Sequence, residues 1–84
     1  MNGKSTQTIL AIETSCDETA VAVVRGSGGI KKPKFQILSN LITSQVDIHA
    51  EWGGVVPNLA KREHIKNLPH LYKQALTIAK VKKI

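Results

Sequence analysis

The sequence has few of the residues with which small proteins cross-link themselves or fill a large core. Its 84 residues include a single cysteine, Cys16, which excludes an internal disulfide and favours a reducing cytosol. The aromatic residues are Phe35, Trp52 and Tyr72 alone, so bulky core side chains are scarce. The apolar content, 42%, is nevertheless near that of ordinary globular proteins. We therefore expect one domain, or part of one, with a modest core.

Long hydrophobic runs are missing as well. No apolar run reaches the ~18 residues that a membrane span requires. The polar amino-terminal residues are not followed by the apolar core of a signal peptide. These absences predict a cytoplasmic protein without membrane contact, in which residues 1–7 form a flexible leader.

Acidic residues are outnumbered by basic ones. Six Asp and Glu stand against twelve Lys and Arg, which gives a formal net charge of +6. A basic surface favours polyanions such as RNA or nucleotide phosphates, but the same charge also keeps a protein in solution. Charge alone does not decide between these two interpretations.

Three apolar segments predict strands. Residues 8–14 and 19–25 are rich in β-branched residues and flank a short turn, which is typical of a β-hairpin. Because both faces of the second strand are apolar, we expect the hairpin to be covered on both sides. Residues 26–29 form a glycine-rich turn, and residues 35–43 a third strand. Short connections then predict an antiparallel meander.

A helical period follows the connection formed by residues 44–56. Pro57 suits the first turn of a helix. Because Pro69 has no N–H to donate, the sequence predicts one kinked helix or two consecutive helices at about 57–67 and 69–80. An apolar stripe, which predicts core or a seam for a partner helix, is formed by Leu68, Leu71, Tyr72, Ala75, Leu76 and Ala79.

The fold class is therefore α/β, more closely an α+β fragment of the form β-β-β-α. Residues 8–80 are the expected ordered unit, and residues 81–84 a basic tail. A three-stranded sheet with one helical layer would leave one face and one edge uncovered.

Two adjacent carboxylates, Asp17 and Glu18, lie at the predicted tip of the hairpin. Such a pair could hold Mg²⁺ through water, orient a nucleophile or transfer protons. Aspartate is also an ordinary turn residue, so solvation of the turn stays an alternative. For Glu13, at the end of the first strand, two interpretations stay equally open: pairing with Arg25 across the hairpin, and a functional role.

The cysteine, the histidines and the glycine pair give weaker indications of function. The neighbouring negative charge disfavours a Cys16 thiolate, so we expect a small, half-buried filler. His49, His64 and His70 are spaced too irregularly for a metal site, and we expect capping and surface roles. The pair Gly53-Gly54 could admit a ligand close to the backbone, but it more simply allows a sharp turn into the helix.

Basic residues recur along the predicted helical region. Lys66, Lys73 and Lys80 repeat every seven residues and so share one face, with Arg62 close to it. They could form a track for phosphates. They could equally be the solvated side of an amphipathic helix, which is the simpler interpretation.

Two segments go beyond generic patterns: IETSCDET at residues 12–19 and HAEWGGVVPNLAKREH at residues 49–64. Their pairing and spacing resemble the amino-terminal part of the tRNA N6-adenosine threonylcarbamoyltransferase family, whose bacterial members are called TsaD and were formerly described as O-sialoglycoprotein endopeptidases. The resemblance covers about residues 8–80, and Ser44-Gln45 and His49-Ala50 fit the bacterial type best.

The resemblance implies an actin-like ATPase fold of two lobes, and transfer of threonylcarbamoyl from its adenylate to N6 of adenosine 37 in tRNA. It implies that Asp17 and Glu18 lie at the mouth of the active site in a supporting catalytic role. It also implies that the region 57–80 contacts a TsaB-like partner protein, and that the basic residues face tRNA or solvent. The full-length family binds one Fe or Zn ion as well as the adenylate.

The sequence departs mildly from the family at Trp52, Asn58 and Lys61, where tyrosine, glutamate and serine are usual. The acidic turn also lacks the glycine of many actin-like phosphate hairpins. The family's metal-binding histidine pair, glycine-rich nucleotide segment and distal aspartate map to none of the 84 residues.

The resemblance therefore implies a truncated member of the family, with no metal or cofactor site of its own and no transferase activity by itself. The alternatives are an interaction module that uses the helix face for self-association or partner docking, and a small basic RNA-binding domain.

Overall fold

A computed structural model of the chain describes residues 6–82. The elements are β1 (Thr6–Glu13), β2 (Glu18–Ser27), β3 (Lys34–Ser44), α1 (Val46–Ala50) and α2 (Pro57–Ala79). The strands form one antiparallel sheet in the order β1-β2-β3, which confirms the predicted meander and the β-β-β-α layout. β1 begins inside the segment expected to be a leader, while residues 1–5 of that segment lie outside the described part.

The sheet is covered by α2 on one face. Thr19, Val21 and Val23 of β2 point toward the helix and are completely buried. Alternation along the strand turns the neighbouring residues to the other face. Side chains on that face are half-buried or exposed: Ile9, Ala20, Ala22, Val24, Ile37 and Ile42. The prediction of a hairpin covered on both sides is therefore wrong for residues 6–82, whereas the prediction of one uncovered face is confirmed.

The core lies between the sheet and α2. Its buried members are Val21, Val23, Leu71, Ala75 and Leu76, and partly buried residues pack around them: Leu10, Leu38, Leu41, Leu68, Tyr72, Ala79 and Val81. The apolar stripe of the helix is thus core rather than a seam for a partner. Val81 belongs to this layer and not to a tail, while residues 83–84 lie outside the described part.

A β-bulge adapts β3 to this core. Val23 pairs with Ser39 and Val24 with Ile37, which leaves Leu38 as the extra residue. Leu38 packs against the core, and the Ser39 hydroxyl donates a hydrogen bond to the carbonyl of Ala75 in α2, at 2.9 Å. The bulge therefore lets two consecutive residues of one strand contact the helical layer.

Of the two predicted arrangements, a single helix through Pro69 or two helices at 57–67 and 69–80, the structure has the single helix: α2 has 23 residues with Pro69 inside it. Pro69 and Ile65 are exposed, so the Ile65 carbonyl that loses its helical donor can bind water. The helix ends at Lys80, whose left-handed φ of 59° lets the N–H of Val81 bond the Leu76 carbonyl at 3.0 Å.

The connection predicted at residues 44–56 contains the short helix α1. The Ser44 hydroxyl accepts a hydrogen bond from the N–H of Val46 at 3.2 Å, which satisfies a donor of its first turn. Five residues are too few to show a helical period in the sequence. None of the described helices is long and apolar enough to cross a membrane.

Candidate functional site

The acid turn, residues 14–18, joins β1 to β2 and carries both predicted site residues. Asp17 lies in the turn and is half-buried, whereas Glu18 is the first residue of β2 and is exposed. The N–H of Glu18 donates to the Ser15 carbonyl at 3.3 Å. Cys16 has a φ of 49°, in the left-handed region that a non-glycine residue seldom adopts. Such a turn needs contacts from other elements to hold it.

Glu13 closes the end of β1 against the same turn. Its carboxylate accepts a hydrogen bond from the Ser15 N–H at 2.9 Å and a second from the Ser15 hydroxyl. The Ser15 hydroxyl first and the Ser15 N–H next lower the pKa of Glu13, against an opposing effect of desolvation. Strand register places Thr8 opposite Arg25, so the predicted pairing of Glu13 with Arg25 is wrong.

His64 of α2 reaches the acid turn. Its Nδ1 lies 2.7 Å from the Thr19 hydroxyl, and its Nε2 lies 3.1 Å from the carbonyl oxygen of Cys16. Because a carbonyl only accepts, Nε2 carries a proton. The amide nitrogen of Gln45, which can only donate, lies 3.5 Å from Nδ1, so Nδ1 accepts and the Thr19 hydroxyl donates to it. The expected capping or surface role for His64 is wrong: it is a half-buried link between α2 and the acid turn.

Gln45 connects the turn to both helices. Its backbone N–H donates to the Asp17 carbonyl at 2.6 Å. Its side-chain Oε1 accepts from His49 Nε2 at 2.6 Å. Its Nε2 donates to the Ala60 carbonyl at 3.4 Å and lies 3.5 Å from His64 Nδ1. With 1% of its surface exposed, Gln45 is the largest fully buried side chain among the described residues.

His49 is equally engaged. It is 2% exposed, and its Nδ1 accepts a hydrogen bond at 3.0 Å from the N–H of Val56, the N-cap residue directly before α2. Of the expected capping and surface roles, His49 has a capping role, since it bonds the N–H of the α2 N-cap from a buried position, and His70 is exposed. We call Thr19, Gln45, His49 and His64 the polar network. Sequence reasoning assigned no role to Thr19 or Gln45.

The polar network is not a metal site. Both ring nitrogens of His49 and of His64 already have hydrogen-bond partners. Among residues 6–82, no three His, Cys, Asp or Glu side chains are grouped so that they could hold a metal ion. The described residues therefore do not fit the Fe or Zn ion that the resemblance implies, and no chemical step through a metal is assigned to them.

An open, mostly apolar groove of about 620 Å³ lies between the acid turn and the start of α2. Cys16 lines it from the turn, and Lys61, Ile65 and Leu68 line it from the helix. Cys16 is exposed, so the prediction of a half-buried filler is wrong. Asp17 lies instead in a smaller depression of about 380 Å³ with Gly53 and its neighbours.

The predicted basic residues lie elsewhere. Arg62, Lys66 and Lys73 are exposed along α2, and Lys80 is exposed at its carboxyl end. None of the four lines the groove beside the acid turn. The structure therefore does not bring these residues together with Asp17 and Glu18. Gly53, with φ of 77° and no atom within 4 Å of where a Cβ would stand, serves the turn itself.

Comparisons with known proteins identify the family. Residues 36–84 match the family model TsaD, tRNA N6-adenosine threonylcarbamoyltransferase. Over 74 residues the chain is 50% identical to a protein of that name from Prochlorococcus marinus subsp. pastoris, and over 73 residues it is 49% identical to one from Thermosipho melanesiensis. These alignments cover 88% and 87% of the chain.

The chain belongs to this family. It spans about a fifth of the length of the curated threonylcarbamoyltransferases that it matches, since each alignment covers 20% of the relative.

In this member of the family the two segments that carry the resemblance touch each other. His64, from residues 49–64, bonds Cys16 and Thr19, from residues 12–19. Gln45 and His49, which precede or begin the second segment, complete the contact. The sequence signature of the family is thus one continuous structure around the acid turn.

Proposed function

We propose that this chain supplies the amino-terminal hairpin and helix of a cytoplasmic enzyme that transfers threonylcarbamoyl to N6 of an adenosine in tRNA. The observation that carries the proposal is the identity of 50% over 74 residues with a tRNA N6-adenosine threonylcarbamoyltransferase. In the whole protein, Asp17 and Glu18 form one wall of the active site in a supporting role. The 84 residues alone have no transferase activity.

The acid turn suits a wall of a site better than a complete site. It presents one half-buried and one exposed carboxylate, and its Cys16 and Asp17 carbonyls accept hydrogen bonds from His64 of α2 and from the N–H of Gln45. The groove has Lys61 and His64 but no carboxylate, and the depression has Asp17 and His49 but no lysine, so neither holds a complete set of groups for the transfer. The chemistry of the adenylate and the metal then falls to other parts of the whole protein.

Two surfaces of α2 suit macromolecular partners. Arg62, Lys66, Lys73 and Lys80 are exposed and offer cations to the phosphates of tRNA. The remaining exposed residues of the region 57–80 are free to contact a TsaB-like partner protein. The helix face that packs on the sheet is not available for either partner, because Leu71, Ala75 and Leu76 are buried in the core.

A chimera tests the proposal. The corresponding amino-terminal segment of the Thermosipho melanesiensis transferase is replaced by this chain, and threonylcarbamoyladenosine in tRNA is measured by mass spectrometry of the nucleosides. We expect activity from the chimera and none from the 84 residues alone. The relative lacking its own segment is the negative control.

Two outcomes would contradict the proposal. A folded chimera without activity, beside an active parent enzyme, would show that this chain does not serve as the transferase segment. Transfer by the purified 84 residues would show that the active site is complete within them.

A further inference from the structure

The acid turn is held at two successive peptide carbonyls by two different parts of the chain. The Cys16 carbonyl accepts from His64 Nε2 at 3.1 Å, and the Asp17 carbonyl accepts from the Gln45 N–H at 2.6 Å. Two peptide planes on either side of the Asp17 backbone are thus fixed from outside the hairpin. A hairpin needs no such bonds to close, because all of β1 already pairs with β2, from Thr6 opposite Ser27 to Glu13 opposite Ala20.

The turn also adopts a backbone conformation that its own sequence disfavours. Cys16 has a left-handed φ of 49°, although glycine is the residue that adopts this region readily. Conformations of this kind persist where the surrounding structure over-determines them. The hydrogen bond from His64 of α2 to the Cys16 carbonyl is a contact that can hold Cys16 in this conformation.

The proton that His64 donates is fixed by its other partners. Thr19, which is completely buried, donates to Nδ1 at 2.7 Å, and the amide of Gln45 presents its N–H₂ to the same nitrogen at 3.5 Å. Gln45 is oriented in turn by His49, whose Nε2 donates to its Oε1 at 2.6 Å. The polar network therefore selects the His64 tautomer with the proton on Nε2, which is the one that bonds the turn.

We propose that His64 is a positioning residue, which Gln45 and Thr19 hold in the tautomer that fixes the acid turn and so directs the carboxylates of Asp17 and Glu18. The consequence for catalysis rests on the proposed function. The conformational part stands on this chain alone, so the two parts are tested separately.

The first test is nuclear magnetic resonance on the 84-residue chain. The ring nitrogen shifts of His64 should show the Nε2–H tautomer without any substitution. In His64→Ala we expect large amide shift changes at residues 16–18 and at least about tenfold faster hydrogen exchange of the Gln45 N–H. His64→Gln, which keeps a donor near the Nε2 position, should restore most of both, and the exposed His70→Ala is the matched control.

A second variant tests the network without removing the ring. Gln45→Glu keeps an acceptor for His49 but has no proton to give toward His64 Nδ1. The new carboxylate, with Glu13 already near His64 and Lys61 on the groove, should make the His64 ring an imidazolium at neutral pH, visible in its ring nitrogen shifts. An Nδ1–H tautomer in the native chain, or unchanged signals at residues 16–18 in His64→Ala, would overturn the proposal.

The third test uses the chimera with the Thermosipho melanesiensis transferase. We expect His64→Ala to lower kcat at least about tenfold, as misplacement of a supporting group does, with little change in KM for tRNA. His64→Gln should recover activity and His70→Ala should leave it unchanged. A loss that appears in KM alone, or equally in His70→Ala, would overturn the catalytic part. A chimera inactive without substitution would contradict the proposed function, and the resonance data would still decide the conformational part.

Discussion

Single hydrogen bonds determine much of the behaviour of this chain at the scale of the residue. Glu13 is exposed but takes both hydrogen bonds that Ser15 offers, and the pair closes the end of β1 against the acid turn. Ser39 is buried and donates its hydroxyl proton across the core to the Ala75 carbonyl. Each bond has a measurable consequence, one for a titration and one for the stability of the fold.

Ser15→Ala should raise the pKa of Glu13 toward its ordinary value, because the Ser15 hydroxyl is the largest cause of its lowering. Since the folded pKa lies below the unfolded one, ionised Glu13 stabilises the fold above the unfolded pKa, and this contribution disappears as the pH falls through the folded pKa. Titration of the carboxyl carbon by nuclear magnetic resonance measures the shift. Ser44→Ala removes a hydroxyl elsewhere and should leave the pKa of Glu13 unchanged. An unchanged pKa of Glu13 in Ser15→Ala would show that the Ser15 hydroxyl does not lower it.

Ser39→Ala should lower the free energy of unfolding by about 1 kcal/mol, the usual loss when a buried hydrogen bond is removed. Urea denaturation monitored by circular dichroism measures the change. Thr77→Ala is the matched control, since the Thr77 hydroxyl also donates to a helix carbonyl but on the exposed side of α2. Equal effects of the two substitutions would show that the bond from β3 to α2 is not a distinct source of stability.

The sequence could not predict the polar network for a physical reason. The partners of His64 lie 45 and 48 residues earlier in the chain, so no local spacing indicates them. Gln45 and His49 are four residues apart, but only the fold shows that both are buried. Asp17 and Glu18 were located correctly at the tip, because a turn between two apolar segments is a local signal.

At the scale of the element, local patterns determined the strands and tertiary contacts determined the rest. Alternating and β-branched residues predicted all three strands within two residues of their ends. The bulge at Leu38 and the short helix α1 depend on packing against α2 and on bonds to Asp17, which no window of sequence contains. Of the two arrangements predicted at Pro69, the single helix is found because packing along α2 outweighs one missing hydrogen bond.

Pro69→Ala should therefore stabilise the chain. Alanine restores an N–H that can donate to the Ile65 carbonyl and removes the ring from the helix interior, and we expect a gain of about 2 kcal/mol in the free energy of unfolding. Thermal and urea denaturation both measure it. The neighbouring exposed His70→Ala should change stability by less than about 0.5 kcal/mol. A loss of stability in Pro69→Ala would mean that packing of α2 on the sheet requires the proline.

At the scale of the whole molecule, the net charge of +6 acts together with where the cations lie. If α2 faces tRNA, as we propose, the exposed pair Lys66 and Lys73 contributes more than a pair elsewhere. Lys66→Glu with Lys73→Glu should weaken tRNA binding by the chain and reduce the slope of log affinity against log salt by about 2.

Lys31→Glu with Lys32→Glu, on the exposed β2–β3 turn, makes the same change in net charge and should affect binding less. Fluorescence anisotropy with labelled tRNA at several salt concentrations measures both. Equal losses in the two double variants would show that tRNA responds to the total charge and not to the basic side of α2, which would then be the solvated face of an amphipathic helix.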